Sequence, residues 1–416
     1  MKISRLFRLG SALVLTLSTL LSVYVPSAHA LSICTWSGAD SGNSLGLDDA
    51  SNYTGCGTID GTSILIFPAG SVSSHNPQLL GNLTVADITF QGDNYDITSS
   101  SGSNTLTVAG DITTSTSSVV GNEIDANIAL TSNTPTVSGN VGSQLTIGSG
   151  SDTLSTSTAN VTLANVLLND PVQGSGSLTV DDANYPASSQ GVQLAAANPG
   201  YTGAVTITNG ALFVEDAAGL TNASSVTVNG GLLKGNGGLS SAIIQSGGTV
   251  APGDSPGCLT ATNMTISGTY AAEIGGATAC TGYDQLQVSG STTISGTLQI
   301  SFVNGFTPTV GQSFTLISNS GSLSGTFNGL ADGETFTSGG ATFQITYTGG
   351  SGNDVVVTVI TPPTSSGDAE DDAAAPDAPD TGLASLATHP WTTLAITSLA
   401  ALSLAAIARR LKPAQD

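Results

Sequence analysis

The chain has 416 residues, long enough for more than one folding unit, with 52 Gly, 5% aromatic and 9% charged residues, and a formal net charge of −22. Of its 7 basic residues three precede Leu31 and three follow Ala408, so 31–390 sets 28 acids against the single base Lys234, a net −27. Such a surface repels nucleic-acid phosphates and anionic lipid headgroups, which excludes nucleic acid as a partner, and it can form almost no salt bridges.

In chain order, Lys2, Arg5 and Arg8 precede an apolar stretch at 9–25, and Ala28-His29-Ala30 supplies a small-x-small cleavage site. This predicts a signal peptide over 1–30, with an exported chain beginning at Leu31. Four cysteines come next, in the pairs Cys34/Cys56 and Cys258/Cys280, each 22 residues apart. Local disulfides are the natural expectation for an exported chain, although four cysteines allow three connectivities. The first pair is expected to pin an amino-terminal cap at 31–59 that exposes Trp36. The second is expected to staple the junction between two β zones.

Between 60 and 275 short apolar runs alternate with period two, as in Val205-Thr206-Ile207 and Val226-Thr227-Val228, each presenting a two-residue apolar face. Asn209-Gly210-Ala211-Leu212 returns twenty residues later as Asn229-Gly230-Gly231-Leu232. Farther on, Ile266-Ser267-Gly268-Thr269 is echoed at Ile294 and again from Leu323, at spacings of 28 and 29. A period near twenty fits one turn of a parallel β-solenoid with Gly and Asn at the corners, about eleven rungs between Asp60 and Ile274. The sequence therefore predicts an all-β chain, a right-handed parallel β-helix over 60–275. An antiparallel sandwich is the rival architecture. Over 276–360 the longer spacing leaves a continuing solenoid and a β-sandwich cap both open.

Asn198-Pro199-Gly200-Tyr201-Thr202-Gly203, the two Asn-Gly turns and the run 247–257 (Gly-Gly-Thr-Val-Ala-Pro-Gly-Asp-Ser-Pro-Gly) together resemble the autotransporter-associated β-strand repeat. Segments 283–290 and 347–356 resemble the stretches found after that repeat in large bacterial surface proteins. The resemblance implies a parallel β-helix displayed outside the cell, often in adhesion. Those proteins commonly end in an outer-membrane barrel, which this sequence lacks.

Residues 361–390 are rich in Pro, Ala and Asp and are expected to form an extended acidic stalk. Ala378-Pro379-Asp380-Thr381-Gly382, an uncharged apolar run at 391–408, and then Arg409, Arg410 and Lys412 in a basic tail at 409–416 resemble the sortase sorting signal of Gram-positive surface proteins, with Ala378 where that family has Leu. By that resemblance the Thr381–Gly382 bond is cut and Thr381 passes to a cell-wall amine. The run spans about 27 Å as a helix, which predicts one C-terminal transmembrane helix with the basic residues as its membrane stop, whether or not the bond is cut.

Chemistry-bearing residues are few. Outside the leader the histidines are His75, read as a polar turn residue, and His389. Polysaccharide lyases need a base of the Arg or Lys kind, and only Lys234 is present in the exported region. A glycoside hydrolase needs two facing carboxylates. The adjacent pairs Asp48-Asp49, Asp181-Asp182 and Glu215-Asp216 point to opposite faces of a strand and read as solvated turns. Gly349-Gly350-Ser351-Gly352-Asn353-Asp354 matches a Ca²⁺-binding nonapeptide once, where two stacked copies are needed, and reads as a tight turn into a final strand at 355–360. No catalytic, cofactor or metal residue is expected, beyond weak non-specific attraction of Ca²⁺ to the acidic surface. The functional expectation is a non-enzymatic cell-surface rod, held at the membrane or cell wall, serving adhesion or envelope structure and binding an extracellular protein or glycan. A surface glycan-active hydrolase is the alternative.

Overall fold

The computed structural model describes residues 30–38, 45–70, 72, 74–115, 119–140, 143–185, 191–215 and 218–363. Met1–Ala30 and Leu31–Asp416 are two separate compact units, and the first is described only at Ala30. The described residues of the second are all-β, apart from one 3₁₀ turn, and mostly parallel.

Alternation along the chain sets its strands. In Ala204–Asn209, Val205 and Ile207 are buried while Thr206 and Thr208 face outward. A period of two forces this arrangement once one face is covered. The strands pair in parallel with counterparts one turn later, which is compatible with a β-helix. Each turn visits three stacks in a fixed order. The first stack contains Ser32–Trp36, Ser63–Phe67, Asp87–Phe90 and Ile112–Thr114 and continues to Leu323–Gly325. Its twelve successive pairings join thirteen strand segments, roughly 58 Å at one rung per ~4.8 Å. The second stack runs from Gln78–Leu79 to Thr297–Phe302. The third starts at Leu83–Val85 and runs to Val172–Gly174, and its place is later taken by Gly219–Leu220 and Gln285–Val288.

Because the rungs are in register, inward side chains stack on their own kind. One rank reads Leu65, Ile88, Ile112, Val137, Leu163, Val180, Ile207, Val228, Ile244, Ile266 and Ile294. All are buried. At the corners, buried amides take over from the backbone. Asn122 accepts from the Tyr95 N–H at 2.9 Å and donates to the Gly92 carbonyl at 3.0 Å, so a turn that lacks ladder partners still has its polar groups satisfied.

Register differs from the repeats read in the sequence. Asn209-Gly210 and Asn229-Gly230 are twenty apart, but Leu212 pairs with Leu233 and Gly210 stacks at Gly231, a turn of twenty-one. Leu233 is consequently buried and Leu232 only half-buried. Turn length varies more widely than a single period allows: Leu163 to Val180 is seventeen residues and Val137 to Leu163 is twenty-six. The stack also continues without a break past 275, since Thr269–Ile274 pairs in parallel with Thr297–Phe302. Apart from the short pairing of Ser32–Trp36 with Tyr53–Thr54 and isolated bridges, antiparallel pairing is confined to the carboxy end, where Ser313–Asn319 pairs with Asp354–Thr361 and Thr335–Ser338, Ala341–Gly349 and Asp354–Thr361 form a meander.

The expected fold class needs one correction, at its helical part. Among the described residues no helix is long and apolar enough to cross a membrane. The apolar residues there alternate along strands, and the one helical element described is the 3₁₀ turn Ala50–Asn52. The span expected at 391–408 lies outside the described residues, as do the stalk from 364 onward and the leader up to residue 29.

A second correction concerns Trp36. It is buried, with its ring 5.1 Å from Tyr53 and its indole N–H donating to the Ser74 carbonyl at 2.8 Å. Ser32–Trp36 is itself a rung of the first stack, so its alternate residues, Cys34 and Trp36, turn inward like those of the later strands.

Both disulfides join the expected partners, Cys34–Cys56 with Cα atoms 5.2 Å apart and Cys258–Cys280 at 4.7 Å. Each closes a 22-residue loop, a constraint on the unfolded chain of about 3 kcal/mol. Replacing Cys258 and Cys280 together by Ser should therefore lower unfolding free energy by about 3 kcal/mol in denaturant titrations, and dithiothreitol should then have less left to remove. In the same titrations Ile207→Ala should cost about 3 kcal/mol, through lost burial and the cavity left behind, while the neighbouring outward Thr206→Ala should stay within about 0.5 kcal/mol.

Candidate functional site

Outward positions of the first stack form a second kind of rank. Thr136, Thr162, Thr179, Thr206 and Thr227 lie in register, followed by Ile243, Thr265, Thr293 and Ser324. Only Ile243 interrupts the hydroxyls, and it is 39% exposed. The Thr293 and Ser324 hydroxyls are 3.2 Å apart, as are those of Ser267 and Ser295 beside them. The backbone ladder holds each hydroxyl one strand spacing from the next, so the rank is a rigid, uncharged row of donors and acceptors.

A trough of about 440 Å³ lies just past this rank on the same strands, lined by Asp182, Tyr185, Asn209, Gly210, Gly231, Leu232, Gly247 and Thr249. Its floor is backbone. Gly231 has φ +72°, and a Cβ there would sit 2.3 Å from the Gly210 carbonyl oxygen, so only glycine lets the two turns stack at this corner. On one wall the Tyr185 ring meets Phe213 edge-on, with centroids 6.3 Å apart, and the Lys234 ammonium lies 5.9 Å over the same Phe213. Burial, aided by the charge of Asp182, pushes the Tyr185 phenol up to about 12, so it remains a neutral donor across the physiological range. Asn209 donates to the Asp181 carboxylate at 2.7 Å, and Asp182 accepts from the Asn184 N–H at 3.1 Å. The arrangement offers an aromatic edge, amide and carboxylate groups, and open backbone, which suits polar, ring-bearing ligands.

The residues singled out by sequence are dispersed. Asp181 is exposed and Asp182 buried, on opposite faces of the strand. Asp49 caps the 3₁₀ turn through the Ser51 N–H, a bond that holds its carboxyl below the ordinary range. Glu215 is described, whereas Asp216 is not. His75 packs against Tyr95, with ring centroids 4.7 Å apart and planes tilted by 45°. In the nonapeptide match, Asp354 accepts from the Asn319 N–H at 2.8 Å and opens the strand Asp354–Thr361, as a turn residue would. Lys234, the single Lys or Arg among the described residues, is buried, 6% exposed. The sorting-like residues Ala378, Pro379, Asp380, Thr381 and Gly382 and the basic residues Arg409, Arg410 and Lys412 lie outside the described residues. Among the described residues no three His, Cys, Asp or Glu side chains already form a metal cage. No protein-family model and no curated protein matches the sequence.

Asp284 is a buried carboxyl that the sequence did not single out. It is 1% exposed, and its two oxygens accept from the Gly257 and Glu273 N–H groups, each at 2.8 Å. Burial outweighs those two bonds, and its pKa is pushed up to about 8. Folded protein therefore keeps this proton between about pH 4 and pH 8 while the unfolded chain releases it, so folding stability should fall as pH rises through that window and level off above it. Asp284→Asn, which cannot titrate, should be less stable than wild type at pH 5 but show a shallower decline in melting temperature from pH 5 to pH 8.

Proposed function

We propose that the chain is an exported, non-enzymatic surface protein whose β-stack is a rigid frame for a polar binding face, serving adhesion or envelope structure through an extracellular glycan. The threonine rank carries this reading. Eight hydroxyls at strand spacing over nine rungs, broken only at Ile243, suit a repeating, hydroxyl-rich polymer better than a single small substrate. The trough beside it adds an aromatic edge at Tyr185 for a sugar ring. The strong negative charge of 31–390 favours neutral or cationic polymers over uronates. Two disulfides support an oxidising location outside the cytoplasm.

The full chain should be retained on insoluble neutral polysaccharides of the cell envelope in a pull-down and should release no reducing sugar from them. Tyr185→Ala should weaken retention by about tenfold, in line with a contact worth about 1.4 kcal/mol. Retention unaffected by Tyr185→Ala and by Thr206→Ala with Thr227→Ala would remove the face from the account, and release of reducing ends would favour a hydrolase.

A further inference from the structure

Three consecutive turns bring three carboxyls to the corner between the second and third stacks. Ile124, Ile147 and Leu168 are in register, and the chain leaves them as Asp125, as the loop 148–153, and as Asn169-Asp170. That loop, Gly-Ser-Gly-Ser-Asp-Thr, wraps its backbone around the neighbouring side chains. Ser149 N–H donates to Asp125 Oδ1 at 3.2 Å, and the N–H groups of Gly150 and Asp152 donate to Asp170 Oδ1 at 3.0 and 3.2 Å. Gly148 has φ +85°, and a Cβ there would lie 1.9 Å from the Asp170 carboxyl carbon, so the close approach of this carboxyl depends on glycine.

Backbone bonds leave the corner incomplete. Asp152 and Asp170 are 6% and 1% exposed, yet Asp152 Oδ1 and Asp170 Oδ2 are both buried without a hydrogen-bond partner. A carboxylate oxygen is an acceptor only, and a buried one with no donor is strongly unfavourable. The single Lys or Arg among the described residues, Lys234, stands over Phe213 in a different part of the stack. Asp125 adds like charge to both, and Asp96, one turn back, faces Asp125 in turn. The Asp152 carboxyl also lies within hydrogen-bonding reach of Asp125, so either a shared proton or a cation must hold these groups together, and the ligand atoms are all oxygens with no His or Cys among them. That set fits a hard cation.

We propose that the Asp125, Asp152 and Asp170 corner binds a divalent cation of the calcium class, which clamps three consecutive turns of the stack. Asp152 Oδ1 and Asp170 Oδ2 supply the inner ligands. Because three side chains do not already enclose a common point, binding includes closure of the 148–153 loop, and loop carbonyls and water complete the shell. A glycine-containing loop and a variable ligand number suit Ca²⁺ rather than the strict octahedron of Mg²⁺. This inference is independent of the glycan reading.

The test is calorimetric titration of the EDTA-treated full chain with CaCl₂, paired with melting curves in CaCl₂ and in NaCl of equal ionic strength. One saturable site with a dissociation constant of about 0.1–1 mM is expected, the range of extracellular calcium modules, with a rise in melting temperature that NaCl does not reproduce. Asp152→Asn should weaken binding at least tenfold and abolish the calcium-specific rise, while Asp181→Asn, an exposed carboxylate elsewhere, should leave both unchanged. Asp152→Asn is preferred to Asp170→Asn because Asp170 also caps two backbone N–H groups; unchanged β-type circular dichroism would show that the variant folds. The proposal is overturned if wild type shows no saturable site, or if CaCl₂ shifts wild type and Asp152→Asn equally, as diffuse screening would. A variant that is more stable than wild type without calcium, in a protein insensitive to calcium, would instead show that the carboxyls share a proton.

Discussion

Every other property of this molecule depends on in-register parallel pairing of one turn with the next. A turn cannot satisfy its own backbone: the N–H and C=O groups of its strands point along the stack axis, and only a neighbouring turn at ~4.8 Å can pair them. Register is set by burial. A slip by one residue would send Val205 and Ile207 to solvent and Thr206 to the core, so the apolar ranks hold the hydroxyl ranks in place. The hydroxyl face is thus a by-product of the core.

The same constraint explains how a chain with almost no salt bridges and few aromatics folds. Its inward positions are filled by Val, Ile and Leu from strand after strand, and most of its larger rings, Tyr185, Tyr201 and Phe213 excepted, gather at the ends. Trp36, Tyr53, Phe67, Phe90 and Tyr95 cluster at the amino end, and Phe314 and Phe327, with Phe343 and Tyr347 of the meander itself, lie at the other. Terminal turns have a neighbour on one side only, and bulky rings together with the first disulfide and the meander close what stacking leaves open.

Much of this was legible in the sequence, and for identifiable reasons. Period-two alternation marks strands wherever one face is buried, so Val205-Thr206-Ile207 could be read directly. Both cysteine pairs could be read because each spans one short loop. Register could not be, because the Asn-Gly echo at twenty residues reflects local turn chemistry, whereas Leu233 rather than Leu232 faces inward in a turn of twenty-one. Trp36 was misjudged as exposed because its strand looked like a cap, when it is the first rung. The polar trough gathers residues spread over 67 positions, and the Asp125, Asp152 and Asp170 corner residues spread over 45, a proximity that exists only once turn lengths are known.

Distances along the stack test the central claim most directly. Spin labels on cysteines introduced at Thr136 and Thr293 would be seven rungs apart, and labels at Thr206 and Thr293 four, with the native cysteines tied up in their two disulfides. Double electron–electron resonance should give backbone-corrected separations of roughly 34 Å and roughly 19 Å, rising by one strand spacing per turn. Separations that do not grow with the number of turns, as in a sandwich whose strands fold back on one another, would contradict the stack and with it the ordered hydroxyl face.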